Sequence, residues 1–247
     1  MKHDFSDRAA SYAAFRPDYP PALCEFIATL APHRRLAWDC GTGSGQAAVA
    51  LTRYFDRVIA TDASAAQLAH ARPHERVEYR VALAEDSGLP DRSVALATVA
   101  QALHWFDLDR FYPEVRRVLA AGGALAVWSY GDPVLDDPEL DAALQRFSKE
   151  TLAPYWHPGR QHVRDSYRGL PFPFVEVATP RLTLERLWTL AEFSGYVRTW
   201  SAVGRSVGAL GPDPVAPLEA ELARRWGGSS ARHMVRWPLS VRAGTVP

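Results

Sequence analysis

Lysine is all but missing from these 247 residues: Lys2 and Lys149 are the only two, and arginine supplies the remaining cations. The 28 basic residues are matched by 28 acidic ones, so the formal net charge is zero. A protein that tracks nucleic acid or an anionic bilayer needs a surplus of positive charge, and here there is none. Two cysteines, Cys24 and Cys40, are too few for a stapled scaffold. No Cys/His cluster points to a metal. No run approaches the ~20 apolar residues of a membrane span. The opening MKHDFSDRAASY lacks the apolar core of a secretory signal. The chain is long enough to bury a real core. These absences predict a soluble, cytoplasmic protein with no metal, nucleic-acid or membrane partner, and they leave its oligomeric state open.

What is present is a rhythm. FSDRAASYAAF reads as a short helix capped by Ser6 and stopped by Pro17, and a second helix runs from Pro21 with Leu23, Phe26, Ile27 and Leu30 on one face. LAWDC (36–40) is a first strand, AAVALTRYF a helix, and RVIATD (57–62) a second strand. Ser64 and Gln67 form a capping box for a helix directly after Asp62. VEYRV (77–81) alternates like a half-buried strand, whereas VALATVA (94–100) is apolar throughout, as a central parallel strand is. A helical stripe of Leu108, Phe111, Tyr112, Val115 and Leu119 ends at Gly122 and Gly123, and ALAVWSY (124–130) is a fifth strand. Strand–helix alternation at this spacing predicts a doubly wound parallel sheet.

Beyond Gly131 the rhythm breaks. Asp137 and Pro138 open a helix with Leu140, Leu144, Phe147 and Thr151 inward. A proline- and aromatic-rich stretch fills 153–174, VEVATPRLTL (175–184) reads as a strand, and Thr189 with Glu192 caps a helix carrying Phe193, Tyr196, Val197 and Trp200. Another helix lies near 217–226. VRWPLSV (235–241) reads as a strand whose proline puts it at or near a sheet edge.

The chemistry sits in DCGTGSG (39–45), between the first strand and its helix. Three alternating glycines in such a turn let a ligand approach the backbone. A phosphate-cradling loop would need Lys and Ser/Thr after the last glycine, where Gln46 and Ala47 stand. A dinucleotide turn counted from Gly41 meets Gln46 where its third glycine belongs, and Asp39 would face a pyrophosphate. A carboxylate suits a cationic ligand.

The pattern D-x-G-x-G-x-G, with Asp62 ending the next strand, resembles the class I S-adenosylmethionine-dependent methyltransferases. The resemblance implies that Gly41, Gly43 and Gly45, with Cys40 and Thr42 among them, lie against the amino acid and ribose of S-adenosylmethionine. It sets Asp39 near the methionine ammonium and Asp62, followed by Ala63, at the ribose hydroxyls. Asp62 also precedes a helix N-terminus, whose dipole it would favour in any case. ALAEDSGLPDRSVALATVAQALHWF is similar to later motifs of the methyltransferase type 11 group, which puts Ala84 and Glu85 at the adenine and Gln101 at the methionine end. Leu83 stands where many relatives carry aspartate, and Ala121 where the R-V-L-x-P-G-G turn has proline. SYAAFRPDYP resembles a lid segment, in which Tyr12 and Arg16 share a helical face toward the cofactor. The first two-thirds of the chain looks like the branch that includes trans-aconitate methyltransferases.

Implied by this resemblance is one domain over residues 1–247: lid helices at 1–35, a cofactor core at 36–131, and a C-terminal part at 132–247 with a helical insertion and the last strands. The implied fold is an α/β, Rossmann-like, doubly wound seven-strand sheet in the order 3-2-1-4-5-7-6, with a helical cover over the cleft. The implied reaction is methyl transfer to a small molecule, a carboxylate among the candidates, by in-line displacement. A non-catalytic module holding the same cofactor would carry the same motifs, and a nicotinamide oxidoreductase is disfavoured by the missing glycine. His104, just past the fourth strand, is the candidate catalytic residue; a general base, a group orienting a substrate carboxylate, and a loop histidine bonded to backbone all remain open. Trp105 is a candidate pocket wall. Trp156 and Arg160 are candidates for binding an anionic substrate, against the alternative of a solvated surface loop.

Overall fold

The structure is a computed structural model that describes residues 17–246. The first predicted helix, with Tyr12 and Arg16, therefore lies outside the described residues. The chain divides into two compact units. One comprises Asp18–Gly131, Gln161–Leu182 and the chain from Leu239 onward; the other comprises Asp132–Arg160 and Thr183–Pro238.

In the first unit the predicted alternation is realised. Helix α1 (Pro21–Thr29) starts on a proline, which suits a first turn whose N–H groups have no helical partner, and buries Leu23, Cys24, Ile27 and Ala28. Strand β1 (Leu36–Cys40) is followed by α2 (Gln46–Leu51), β2 (Arg57–Asp62), the short α3 (Ala65–Leu68) and β3 (Val77–Val81). Ser64 caps α3, its hydroxyl accepting the Gln67 N–H. Strand β4 (Val94–Ala100), helix α4 (Leu108–Val118) and β5 (Leu119–Tyr130) complete the wound part. The strand order is β3-β2-β1-β4-β5-β9, with β9 (His233–Thr245) antiparallel to β5 and the other pairs parallel. The expected order 3-2-1-4-5, with the last strand beside the fifth, is what forms. Residues Val94, Ala95, Leu96, Ala97 and Val99 of β4 are all buried, as they must be with neighbours on both edges and apolar layers on both faces. Trp38, Val127, Phe111 and Val115 meet in one cluster, so α4 closes its apolar stripe over the middle of the sheet.

Nine strands form among the described residues, against the seven expected. The segment read as one strand at 175–184 is two, β7 (Val175–Glu176) and β8 (Leu182–Trp188), because Pro180 removes a ladder donor between them. Helix α4 ends at Val118 rather than at Gly122 and Gly123. Those glycines instead occupy an irregularity in β5, where the register with β4 jumps from Val94↔Leu119 to Leu96↔Ala124. Strand β9 is not an edge. Its residues 239–245 pair with β5 and residues 235–236 with β6 (Val134–Leu135), and Pro238 falls between the two registers.

The second unit is mostly helical. Asp137 caps α5 (Pro138–Arg146), accepting the N–H groups of Glu139 and Leu140. The helix then widens into a π turn over Phe147–Thr151, closed by Leu152 N–H donating to Phe147 C=O at 2.9 Å. That five-residue step rotates the inward stripe, so Leu152 is buried and the predicted Thr151 is exposed. Past the short α6 (Arg160–Arg164), α7 (Leu190–Arg198) carries the full Thr189/Glu192 capping box. Helix α8 (Ser201–Leu210) has no counterpart in the sequence reading, and α9 (Ala216–Ala223) matches the helix read near 217–226. Four late tryptophans are packing elements: Trp188 and Trp237 lie 5.5 and 5.2 Å from the Tyr196 ring, Trp200 lies 5.9 Å from it, and Trp226 stacks on Phe193.

Leu152→Ala is expected to lower the unfolding free energy by about 2–5 kcal/mol, and Thr151→Ala to change it by less than about 0.5 kcal/mol. Urea denaturation of the two variants checks the π-turn register, since a regular helix would reverse the pair.

Candidate active site

In an open α/β sheet the ligand crevice lies at the carboxyl ends of the strands where the winding direction reverses. Here that point is between β1 and β4, with β2 and β3 on one side and β5 on the other. The glycine turn leaves β1 there, and residues 101–106 leave β4 beside it. A side chain at Gly41 would strike the Ala102 Cβ, 2.7 Å away, and the Phe106 ring.

The turn is left-handed at each glycine, with φ of 67° at Gly41, 55° at Gly43 and 79° at Gly45. Gly45 also lies against the Tyr79 hydroxyl, leaving no room for a Cβ, whereas a Cβ at Gly43 would meet nothing within 4 Å. Gly41 and Gly45 are thus glycines for packing as well as for φ, and Gly43 presents bare backbone to open space.

Asp39 is fully buried at the end of β1. The Thr42 hydroxyl donates to its Oδ2 at 2.5 Å and the Thr98 hydroxyl to its Oδ1 at 2.7 Å, so one carboxylate ties the turn and β4 to β1. Burial pushes its pKa up to about 6 against the lowering effect of those two hydroxyls. Asp62, at the end of β2, accepts the Gly43 N–H at 2.9 Å and the Ser64 N–H at 2.8 Å. Its pKa is also raised, burial outweighing both hydrogen bonds. Ala63 sits between Asp62 and the α3 cap. Burial first, with the negative charges of Asp39, Asp62 and Glu85 adding to it, pushes the Cys40 thiol well above its ordinary value. Both cysteines are free and buried.

Ala84 is buried, and Glu85 accepts the Asp107 N–H at 2.8 Å, linking the loop after β3 to the start of α4. The same loop is held again two residues on, where Ser87 donates its N–H and its hydroxyl to Glu114 of α4. Burial alone would raise the Glu114 pKa, but Arg117 and Ser87 outweigh it and hold the carboxyl down to about 2. Gln101 has a left-handed backbone, φ 60°, uncommon for a residue with a side chain. Its N–H donates to Trp128 C=O at 2.9 Å and its side-chain amide to Tyr130 C=O at 3.1 Å, fixing the exit from β4 onto β5.

His104 and Trp105 form a 3-10 turn directly after β4. Their rings lie 5.0 Å apart, and Trp105 is exposed. His104 Nδ1 lies 3.0 Å from the Tyr167 hydroxyl. Tyr167 was missed in the sequence reading; 63 residues separate the two, and its only local mark is its place in the aromatic-rich stretch 153–174.

Trp156 and Arg160 belong to the second unit, and they form a pair. The Arg160 guanidinium lies 3.6 Å above the Trp156 ring and is ion-paired with Asp132. The Trp156 indole N–H donates to Ser148 C=O at 2.9 Å, and the Ser148 hydroxyl donates to Asp132. The arginine expected to offer its charge to a substrate is balanced by a carboxylate of the protein's own. Among the described residues no group of three or more His, Cys, Asp or Glu could hold a metal, and no helix is long and apolar enough to cross a membrane.

Residues 38–127 match the model of the methyltransferase domain family. The chain is 34% identical over 225 residues to a Dictyostelium discoideum protein named as a methyltransferase, covering 90% of this chain and 86% of that one. It is 28% identical over 228 residues to CRG1 of Saccharomyces cerevisiae, named as an S-adenosylmethionine-dependent methyltransferase, over 78% of each chain. A solved structure from Anaeromyxobacter dehalogenans, named a type II methyltransferase, superposes with a TM-score of 0.87 at 46% identity, covering 94% of this chain and 99% of that one.

Because the pKa of Asp39 lies above the ordinary 3.8 in the folded protein, the fold binds a proton that the unfolded chain has already lost between about pH 4 and about pH 6. Stability due to this group is present below pH 4 and falls as pH rises through 6. Urea midpoints of the wild type are expected to fall relative to Asp39→Asn across that window, and parallel profiles would count against the buried carboxylate as its source.

Proposed function

The chain belongs to the class I S-adenosylmethionine-dependent methyltransferases, and from that premise we propose that it moves the methyl group of S-adenosylmethionine onto a small-molecule acceptor by in-line displacement. The observation that carries this reading is the turn at Gly43: bare backbone facing open space, with Asp62 bonded to its N–H and Asp39 anchoring the turn one residue before it. Those carboxylates, as acceptors, fit a cationic ligand with a ribose diol and would repel a pyrophosphate.

The cofactor supplies a methyl group on a sulfonium, an electrophile that needs no further activation. The tasks left to the protein are alignment and exclusion of water. Gly41, Gly43 and Gly45, with Cys40 and Thr42, give the cofactor a surface with no side chain in the way. Asp62 keeps acceptor capacity for ribose hydroxyls while it holds the Gly43 and Ser64 N–H groups. Asp39, enclosed by two hydroxyls, acts on an ammonium through its field and through the turn it anchors. Ala84 and Glu85 are assigned to the adenine end and Gln101 to the methionine end. Tyr12 and Arg16 are assigned to the lid.

On the acceptor side we place His104 and Trp105. The likeness of the motifs to the trans-aconitate methyltransferase branch supports a carboxylate acceptor, which is a nucleophile at neutral pH without a base. His104 would then orient the acceptor. Arg160, already neutralised by Asp132, is assigned to bracing Trp156 rather than to meeting an anion.

Calorimetric titration of the purified protein tests the reading. S-adenosylmethionine and S-adenosylhomocysteine are expected to bind with micromolar affinity, weakened on the order of tenfold or more in Asp62→Ala, and NADH is expected not to bind. A folded, ligand-free sample that binds neither sulfur compound would overturn it.

A further inference from the structure

We infer that Tyr167 is the positioning residue that sets the tautomer of His104, and with it the atom that His104 presents to the methyl acceptor. The inference rests on the methyltransferase reading only for the acceptor; the hydrogen bond stands by itself.

Three observations carry it. The first is the contact: the Tyr167 hydroxyl lies 3.0 Å from His104 Nδ1, with ring centroids 6.0 Å apart and planes inclined by 36°. The second is burial, since Tyr167 is 1% exposed and its phenol is held away from bulk water. The third is the backbone that delivers it. Ser166 and Tyr167 are both left-handed, with φ of 58° and 57°, and neither is glycine. Such a conformation persists only where the surroundings over-determine it. Here they do. Tyr167 N–H donates to His162 C=O at 2.8 Å, Ser166 N–H to Val163 C=O at 3.0 Å, and Leu170 N–H to Tyr167 C=O at 3.1 Å. From β9, the Arg242 guanidinium donates to Tyr167 C=O at 2.9 Å and to Leu170 C=O at 2.8 Å, and is itself paired with Glu176. A long-range clamp thus holds two residues in an unfavourable conformation, and the result is a phenol aimed at one ring nitrogen.

A phenol is the better donor and a neutral imidazole nitrogen the better acceptor, so the bond runs from Tyr167 O–H to His104 Nδ1. The ring proton then resides on Nε2. His104 meets the acceptor as an N–H donor, suited to holding a carboxylate or carbonyl oxygen in line, and not as a base that takes a proton. A tyrosine that served packing alone would keep its ring contacts as phenylalanine and leave the imidazole unaffected.

The test is nitrogen NMR of the full chain labelled with 15N-histidine, the His104 signals assigned by their loss in His104→Gln. The wild type is expected to show His104 as the Nε2–H tautomer. In Tyr167→Phe the signals are expected to move to a mixture of tautomers, with affinity for S-adenosylhomocysteine kept within about twofold as the check on folding. Tyr112→Phe, which removes a hydroxyl bonded to Pro171 C=O in the same cluster, is expected to leave His104 unmoved. An Nδ1–H tautomer in the wild type, or the same His104 signals in Tyr167→Phe, would overturn the inference. Wild-type protein that fails to bind S-adenosylhomocysteine would count against the cofactor reading alone, because the tautomer is read without any ligand.

Discussion

The carboxylate of Asp39 holds the candidate site together. Its two oxygens accept hydroxyls from opposite directions, Thr42 in the turn and Thr98 on β4, and its own backbone belongs to β1. A buried charge is costly unless it is hydrogen-bonded, and this one is bonded in a way that leaves little freedom to its neighbours. The turn cannot swing outward without abandoning one hydroxyl, and β4 cannot slide without abandoning the other. The open backbone at Gly43 exists because this arrangement keeps the turn against the strand ends, with Asp62 fastening the Gly43 N–H from the β2 side.

Around that anchor the other side chains serve as braces more than as ligands. Glu85 fastens the loop after β3 to Asp107, the residue that precedes α4, and Glu114 fastens it again to the body of the helix. Helix α4 follows directly on the His104 turn. The segments assigned to the two substrates of the reaction are therefore joined through one helix.

What could be read in advance follows from how local each signal is. The strand–helix rhythm, the left-handed glycine turn and the Thr189/Glu192 box depend on residues within a few positions of one another, and all three formed. The π turn after α5 was invisible because Phe147 and Leu152 carry no mark that separates a four-residue from a five-residue step. Pro238 suggested an edge, yet the change of partner along β9 gave a proline without an N–H a place inside. The pairs that matter most at the site join residues far apart in the chain: Thr98 with Asp39, Tyr167 with His104, Asp132 with Arg160. Spacing rules have no purchase on these, and the charge of Arg160 looked available only because its partner lay 28 residues away.

The changing partnership along β9 has a consequence for the order in which the protein can assemble. Residues 239–245 pair with β5, yet they are made only after the whole of 132–238 has been synthesised. Until then the hydrogen-bonding edge of β5, from Ala124 to Tyr130, has no strand to close it, and its residues are among the most apolar in the chain. Non-local pairing of this kind is slow to form and exposes a template for association with other chains while it waits. The nascent sheet thus has this apolar edge uncovered throughout synthesis of the helical unit.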